Sequence, residues 1–154
     1  MARSERPAPA SGSPRITLVG DGERVVGAGD WRDAPWETVT ASFRCASGER
    51  WTGEWHGVPV EWYLDRAPGG DAATHLRIGS ADGHVACVSL ADAIRGVLAV
   101  GRRDDATLPV EDRPRFIAPG VVGARTVRSV RRLELVILDP DDHVEEYESL
   151  NPVG

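Results

Sequence analysis

Residues 38–64 read TVTASFRCASGERWTGEWHGVPVEWYL. The first eight alternate, with Val39, Ala41, Phe43 and Cys45 apolar and Thr38, Thr40, Ser42 and Arg44 polar. A period of two marks a half-buried strand, so Cys45 closes it on the apolar face. The small and polar residues Ala46 to Arg50 form a loop directly after it. Trp51 to Val58 then lead to Pro59, whose fixed φ and missing N–H suit the first position of a short helix reaching Leu64.

The flanking sequence has the same habit of short elements. Upstream, Arg15 to Val19 reads as a strand stopped by Gly20-Asp21-Gly22, and Asp30 caps a helical turn that passes Trp31 and Ala34 before Pro35 ends it. Downstream, Arg66 to Ala72 is a loop, and the strands His75 to Ile78 and His84 to Val88 flank Asp82-Gly83, a strong hairpin signal. Ser89 and Asp92 have capping-box spacing for a short helix to Arg95. Val97 to Val100 reads as a strand, Arg102 to Asp105 as a polar turn, and Ser129 to Leu138 as the last long strand, with Arg115 to Ala118 placed just before Pro119-Gly120. Many short strands, a few short helices and no βαβ alternation predict an α+β, mainly β domain. It spans residues 14–138, between a flexible tail at 1–13 and an acidic, exposed C-terminal tail at 139–154.

Composition narrows the function classes. The chain has 154 residues, 41% of them hydrophobic, enough for one domain with a real core. A charge of -6, from 24 acidic against 18 basic residues, disfavours a general nucleic-acid binder. No apolar run approaches membrane-spanning length, so no membrane insertion is expected, and residues 1–13 carry no apolar h-region, which predicts a cytoplasmic protein. Cys45 and Cys87 do not make a disulfide framework, and no Cys-x-x-Cys or His-x-x-His spacing suggests zinc. A Gly-x-Ser-x-Gly elbow and a P-loop are both missing.

All 18 basic residues are arginines. Those at 113, 115, 125, 128, 131 and 132 cluster in sequence, and Gly123 gives the backbone freedom to turn several N–H groups toward an anion. Arg115 and Arg128 can then hold a phosphate through charge-assisted hydrogen bonds. The plainer reading is a solvated basic stripe that pairs with the acidic tail. Cys45, at the rim of a sheet between Arg44 and Arg50, is placed for a reactive thiolate, although a lone cysteine on an apolar strand face is more often an inert core residue. Cys87, inside Val85-Ala86-Cys87-Val88, reads as core. So do the five tryptophans at 31, 36, 51, 55 and 62.

The order of these segments resembles the sulfite oxidase-type oxidoreductase molybdopterin-binding domain family. In that family a first strand and a short helical turn precede a strand ending in a cysteine, then a small-residue loop and a Trp-x-Gly-Val-Pro segment. Cys45, Ala46 to Arg50 and Trp55-His56-Gly57-Val58-Pro59-Val60 match in order and spacing. ADGHVACVSLADAI and LPVEDRPRFIAPGVVGARTVRSVRRLEL match its later hairpin and its cofactor-phosphate segment. The resemblance implies the sulfite oxidase-like molybdopterin-binding fold and a molybdenum-molybdopterin cofactor. Cys45 would be the catalytic metal ligand, with Arg115, Thr126, Val127 and Arg128 binding the cofactor; Arg128 stands where lysine is common. The implied function is a stand-alone molybdopterin-dependent oxidoreductase domain that transfers an oxygen atom. Its partners would be a small oxyanion or oxide substrate and an electron-transfer partner. Val110 replaces an asparagine of the family, which leaves an alternative: a degenerate, non-catalytic member acting as an interaction or anion-binding module.

Overall fold

The computed structural model describes residues 15–44, 50–102 and 110–150. In chain order these hold β1 (Ile16–Val19), β2 (Glu23–Val26), β3 (Glu37–Arg44), β4 (Arg50–Pro59), α1 (Val60–Leu64), β5 (His75–Ser80), β6 (Val85–Ser89), α2 (Leu90–Ala93), β7 (Val97–Arg102), β8 (Arg115–Ile117) and β9 (Val130–Val136). One sheet runs β2-β1-β9-β5-β6, the other β3-β4-β7-β8. Strands β1 and β9 pair in parallel, and the remaining pairs are antiparallel. The architecture is mainly β with short helices, as the sequence predicts.

Three strands, β2, β4 and the three-residue β8, escape the sequence reading. In β2 only Val26 is buried, so the apolar signal of this edge strand is nearly empty. In β4, Gly53 and Gly57 interrupt the pattern, and the strand is held instead by pairing with β3 on one side and β7 on the other. Local details differ as well. Asp30 begins a 3₁₀ turn, Asp30–Asp33, but its carboxylate accepts the Gly27 N–H at 2.9 Å rather than capping the turn ahead. Pro59 is the extended cap of α1. Ser89 does cap α2, accepting the Asp92 N–H at 3.2 Å, although the helix ends at Ala93. Arg102 still belongs to β7, and the rest of the expected 102–105 turn lies outside the described residues.

Packing follows from strand alternation. Leu76 and Ile78 of β5, Ala86 and Val88 of β6 and Leu133 of β9 face Leu98, Phe116 and Val58 of the other sheet, with Val60, Trp62 and Tyr63 of α1 completing the main core. Val97, Ala99 and Ile117 point to the opposite face and pack with Trp55, Val39 and Ala41. The Trp31 indole donates to the buried Tyr63 hydroxyl at 2.9 Å, tying the 3₁₀ turn to α1, and burial pushes that hydroxyl well above its ordinary pKa. Trp55, Trp62, Trp31 and Trp36 thus act as core or core-flanking residues, and the placement of Trp51's side chain lies outside the description.

The segment after Asp139 lies on the domain as a strap and is exposed only in part. Ser149 bridges Val85 at the edge of β6, and Leu150 packs against the core. Asp141, Glu145 and Glu146 face solvent, whereas Glu148 turns inward.

The Trp-x-Gly-Val-Pro segment has a packing reason. Register shifts between His56 and Gly57 where β4 crosses β7, and an added Cβ at Gly57 would run into the Leu98 carbonyl and come within 2.7 Å of the Ala99 Cα. The obstruction is backbone, which cannot rotate away. Gly57→Ala is therefore expected to destabilise the domain by about 1–3 kcal/mol, the range for overpacking, read as a lower urea midpoint at unchanged slope.

Candidate functional site

The site begins with two chain segments that run side by side. The Phe116 N–H donates to the Val127 carbonyl at 2.9 Å, Ser129 N–H to Asp112 at 3.0 Å, and Val130 N–H to Pro114 at 3.0 Å. Ser129 adopts φ 52, and its hydroxyl donates to the Glu111 carbonyl, so the sharp turn from Arg128 into β9 is held from both sides. The Ala81 N–H donates to the Ser129 carbonyl at 3.0 Å, which brings the β5–β6 turn to the same place.

Within this frame the Arg115 side chain is fixed. Its Nε donates to the Thr126 carbonyl at 3.1 Å and its Nη2 to the Thr126 hydroxyl at 2.9 Å. That hydroxyl donates in turn to the Gly123 carbonyl at 2.7 Å. Thr126 is 3% exposed, a buried polar residue with its donor and acceptor capacity used. Gly123 adopts φ 64 at the start of the 3₁₀ turn Gly123–Arg125, a conformation that costs glycine little. The ring Nε2 of His84 lies 2.7 Å from the Ala124 carbonyl and joins the hairpin turn to this one.

A pocket of about 60 Å³ opens between them, lined by Arg115, Thr126, Val127, Arg128, Gly123, Ala124, His84, Ser80 and Asp82. Pockets that enclose a whole small molecule run to about 300 Å³ and more, so this one has the size of a small anion and not of a whole cofactor. Four of the residues singled out from sequence, Arg115, Thr126, Val127 and Arg128, meet here. Val127 lines the pocket while its side chain packs in the core at 1% exposure. The amides of Val127 and Arg128 have no acceptor among the described residues.

The charge balance is positive. Burial, together with the nearby charge of Arg128, pushes the Arg115 guanidinium below its ordinary pKa, the signature of two cations held close in a partly dry place. Arg128 lies 4.0 Å from the Asp112 carboxylate and is half exposed, a contact worth little. The Asp82 carboxylate at the rim accepts the Ser80 hydroxyl and the His84 N–H, which hold its pKa below the ordinary carboxylate value. An anion placed between the two guanidiniums relieves their repulsion.

The basic stripe is thereby divided. Arg125 pairs with Glu148 of the strap at 2.7 Å, as the plainer reading holds, whereas Arg115 and Arg128 face the pocket. Ser80, Asp82 and His84 were not singled out from sequence; Asp82-Gly83 read only as a turn, and nothing local says which surface that turn meets. Cys87 is 2% exposed with a free thiol, buried as expected but on the outer face of the five-stranded sheet beside Glu148 rather than in the main core. Cys45 lies outside the described residues. The strands that flank it do not: Arg44 and Arg50 are register partners where β3 leaves and β4 enters. In the same sheet Arg115 is opposite Ala99, Ala99 opposite Gly57 and Gly57 opposite Glu37, so β8 lies level with the start of β3.

Among the described residues no cluster of three or more His, Cys, Asp or Glu side chains is arranged to hold a metal, and no helix is long and apolar enough to cross a membrane. The family model described as "Oxidoreductase molybdopterin binding domain" matches residues 15–144. Comparison with curated protein sequences gives no match. Among solved structures the chain is similar to the sulfane dehydrogenase SoxCD from Paracoccus pantotrophus, with a TM-score of 0.70 and 21% identity over 84% of this chain. The match spans 40% of the SoxCD chain, and at that identity it speaks for the fold.

A cationic pocket of this size predicts anion-dependent stability. Ligand at about a hundred times its Kd adds roughly 2.7 kcal/mol, so saturating inorganic phosphate should raise the Tm by about 5 °C or more at constant ionic strength. Arg115→Gln should lose most of that rise. An equal rise in the variant, measured by scanning calorimetry, would place the anion elsewhere.

Proposed function

Because the chain belongs to the oxidoreductase molybdopterin-binding domain family, we propose that it acts as a molybdopterin-dependent oxidoreductase domain, with Cys45 holding the metal and the arginine pocket holding the cofactor's phosphate. The observation that carries this reading is the convergence of Arg115, Thr126 and Arg128 on one phosphate-sized pocket. The residues present fit that end of the cofactor in three respects: two guanidiniums, backbone amides without acceptors among the described residues, and a volume that admits a phosphate. When bound, the cofactor supplies a molybdenum centre that exchanges an oxygen atom with substrate in a two-electron step.

The chain's own residues do the binding and the steering. Arg115, fixed by Thr126, and Arg128 grip the phosphate, and the Val127 and Arg128 amides add donors. Arginine at 128 offers a planar fork of donors, so it grips with more than one bond. Cys45 supplies a soft thiolate, a ligand type suited to molybdenum beside the sulfurs of the pterin. Arg44 and Arg50, close to Cys45 in sequence, draw a small oxyanion or oxide substrate by their charge. A separate electron-transfer protein takes up or delivers the electrons.

The test is the metal and pterin content of the chain purified from a host that makes the cofactor. Wild type should carry molybdenum and pterin in matching amounts. Cys45→Ser should lose the metal with its fold intact, and Arg115→Gln combined with Arg128→Gln should lose pterin and metal together, by about tenfold or more. A well-folded wild type with neither would contradict the proposal and favour a non-catalytic member of the family.

A further inference from the structure

The outer face of the five-stranded sheet carries a row that the proposed chemistry does not use. Register sets Glu134 of β9, Arg77 of β5 and Cys87 of β6 side by side, on the face away from Leu76, Ile78 and Ala86. Arg77 donates to Glu134 at 2.9 Å and to the Tyr147 carbonyl of the strap at 3.0 Å. Val85 and Ser149 exchange backbone hydrogen bonds of 2.9 and 2.8 Å. Between these two anchors the strap drives Glu148 inward, leaving its side chain 3% exposed.

Three donors from two described residues reach that carboxylate. Arg125 reaches it with Nε and Nη2, each at 2.7 Å, and the Cys87 N–H donates to Oε2 at 2.9 Å. A carboxylate this deeply buried persists only with such partners, so the contact is more than a surface ion pair. Its consequence reaches the pocket, because Arg125 closes the 3₁₀ turn whose Gly123 and Ala124, with the following Thr126, line it.

Resting on the phosphate reading of that pocket, we propose that Glu148 is its positioning residue: the strap carboxylate grips Arg125 and so fixes residues 123–128 in the shape that presents Thr126, Arg128 and the two amides to an anion. The grip also consumes the charge of Arg125, so the ligand meets Arg115 and Arg128 and not a third, mobile guanidinium. A further side-chain tie from this turn to the hairpin is His84 to Ala124. Loss of Glu148 should therefore weaken the pocket without erasing it.

The test measures inorganic phosphate binding by calorimetry on the full chain, as wild type, Glu148→Ala, Glu148→Gln and Arg115→Gln. Alkylation at Cys87, mapped by mass spectrometry, reports strap release, because that thiol is buried beside Glu148. The expected result is phosphate affinity about tenfold weaker in Glu148→Ala, the scale of lost outer-shell support, with faster Cys87 labelling. Glu148→Gln, which keeps an acceptor, should fall between, and it carries the test if the alanine variant does not fold. A purely structural role would lower the urea midpoint and leave the affinity of the folded protein unchanged. Unchanged affinity in Glu148→Ala alongside a weakened Arg115→Gln overturns the positioning role alone. No phosphate binding by wild type, or binding indifferent to Arg115→Gln, overturns the pocket and this role together.

Discussion

The paired hydrogen bonds from Arg115 to Thr126 are the constraint on which the site depends. They join β8, in the four-stranded sheet, to the turn that leads into β9, in the five-stranded one. A guanidinium on its own has many rotamers and a large hydration shell. Bonded by Nε and Nη2 to one buried threonine, it keeps one orientation in the wall of the pocket. The cost of placing this cation beside Arg128 is met by the surrounding backbone pairing of residues 112–116 with 127–130. Preorganisation of this kind is what makes a small anion site effective: the ligand does not have to order the groups that hold it.

The distribution of charge around that constraint explains why an overall acidic chain can hold an anion. Of the arginines clustered after residue 110, Arg125 is neutralised by Glu148 and Arg131 donates to the Arg113 and Val130 carbonyls. Arg115 and Arg128 keep their charge for the pocket. Net charge governs encounters at a distance, but at contact the local donors decide. The acidic strap has a structural part in this, since one of its carboxylates organises the turn beside the pocket while its neighbours stay in water.

Much of the fold was legible where alternation or turn chemistry was strong. The strand through Val39, Ala41 and Phe43, the Asp82-Gly83 hairpin and the Ser89 cap all carry their reasons in adjacent residues. Strand β4 was hidden because Gly57 serves close approach to β7, a tertiary demand that leaves no local period, and Gly53 breaks the pattern again. Strand β2 was hidden because it buries one side chain. The site was half legible: charge and the family resemblance pick out Arg115, Thr126 and Arg128. His84, Asp82 and Glu148 join through contacts across 40 residues or more of chain, or through a turn whose neighbour no local pattern predicts.

Phosphorus-31 NMR of the cofactor-loaded chain, titrated with pH, tests the central claim most directly. A free phosphate monoester takes up its second proton at about pH 6. Two guanidiniums favour the dianion, so the bound resonance should hold its dianion position well below that pH and titrate only at a lower one. A bound cofactor whose phosphate titrates as it does in free solution would contradict the account, because the phosphate would then lie outside the arginine pocket.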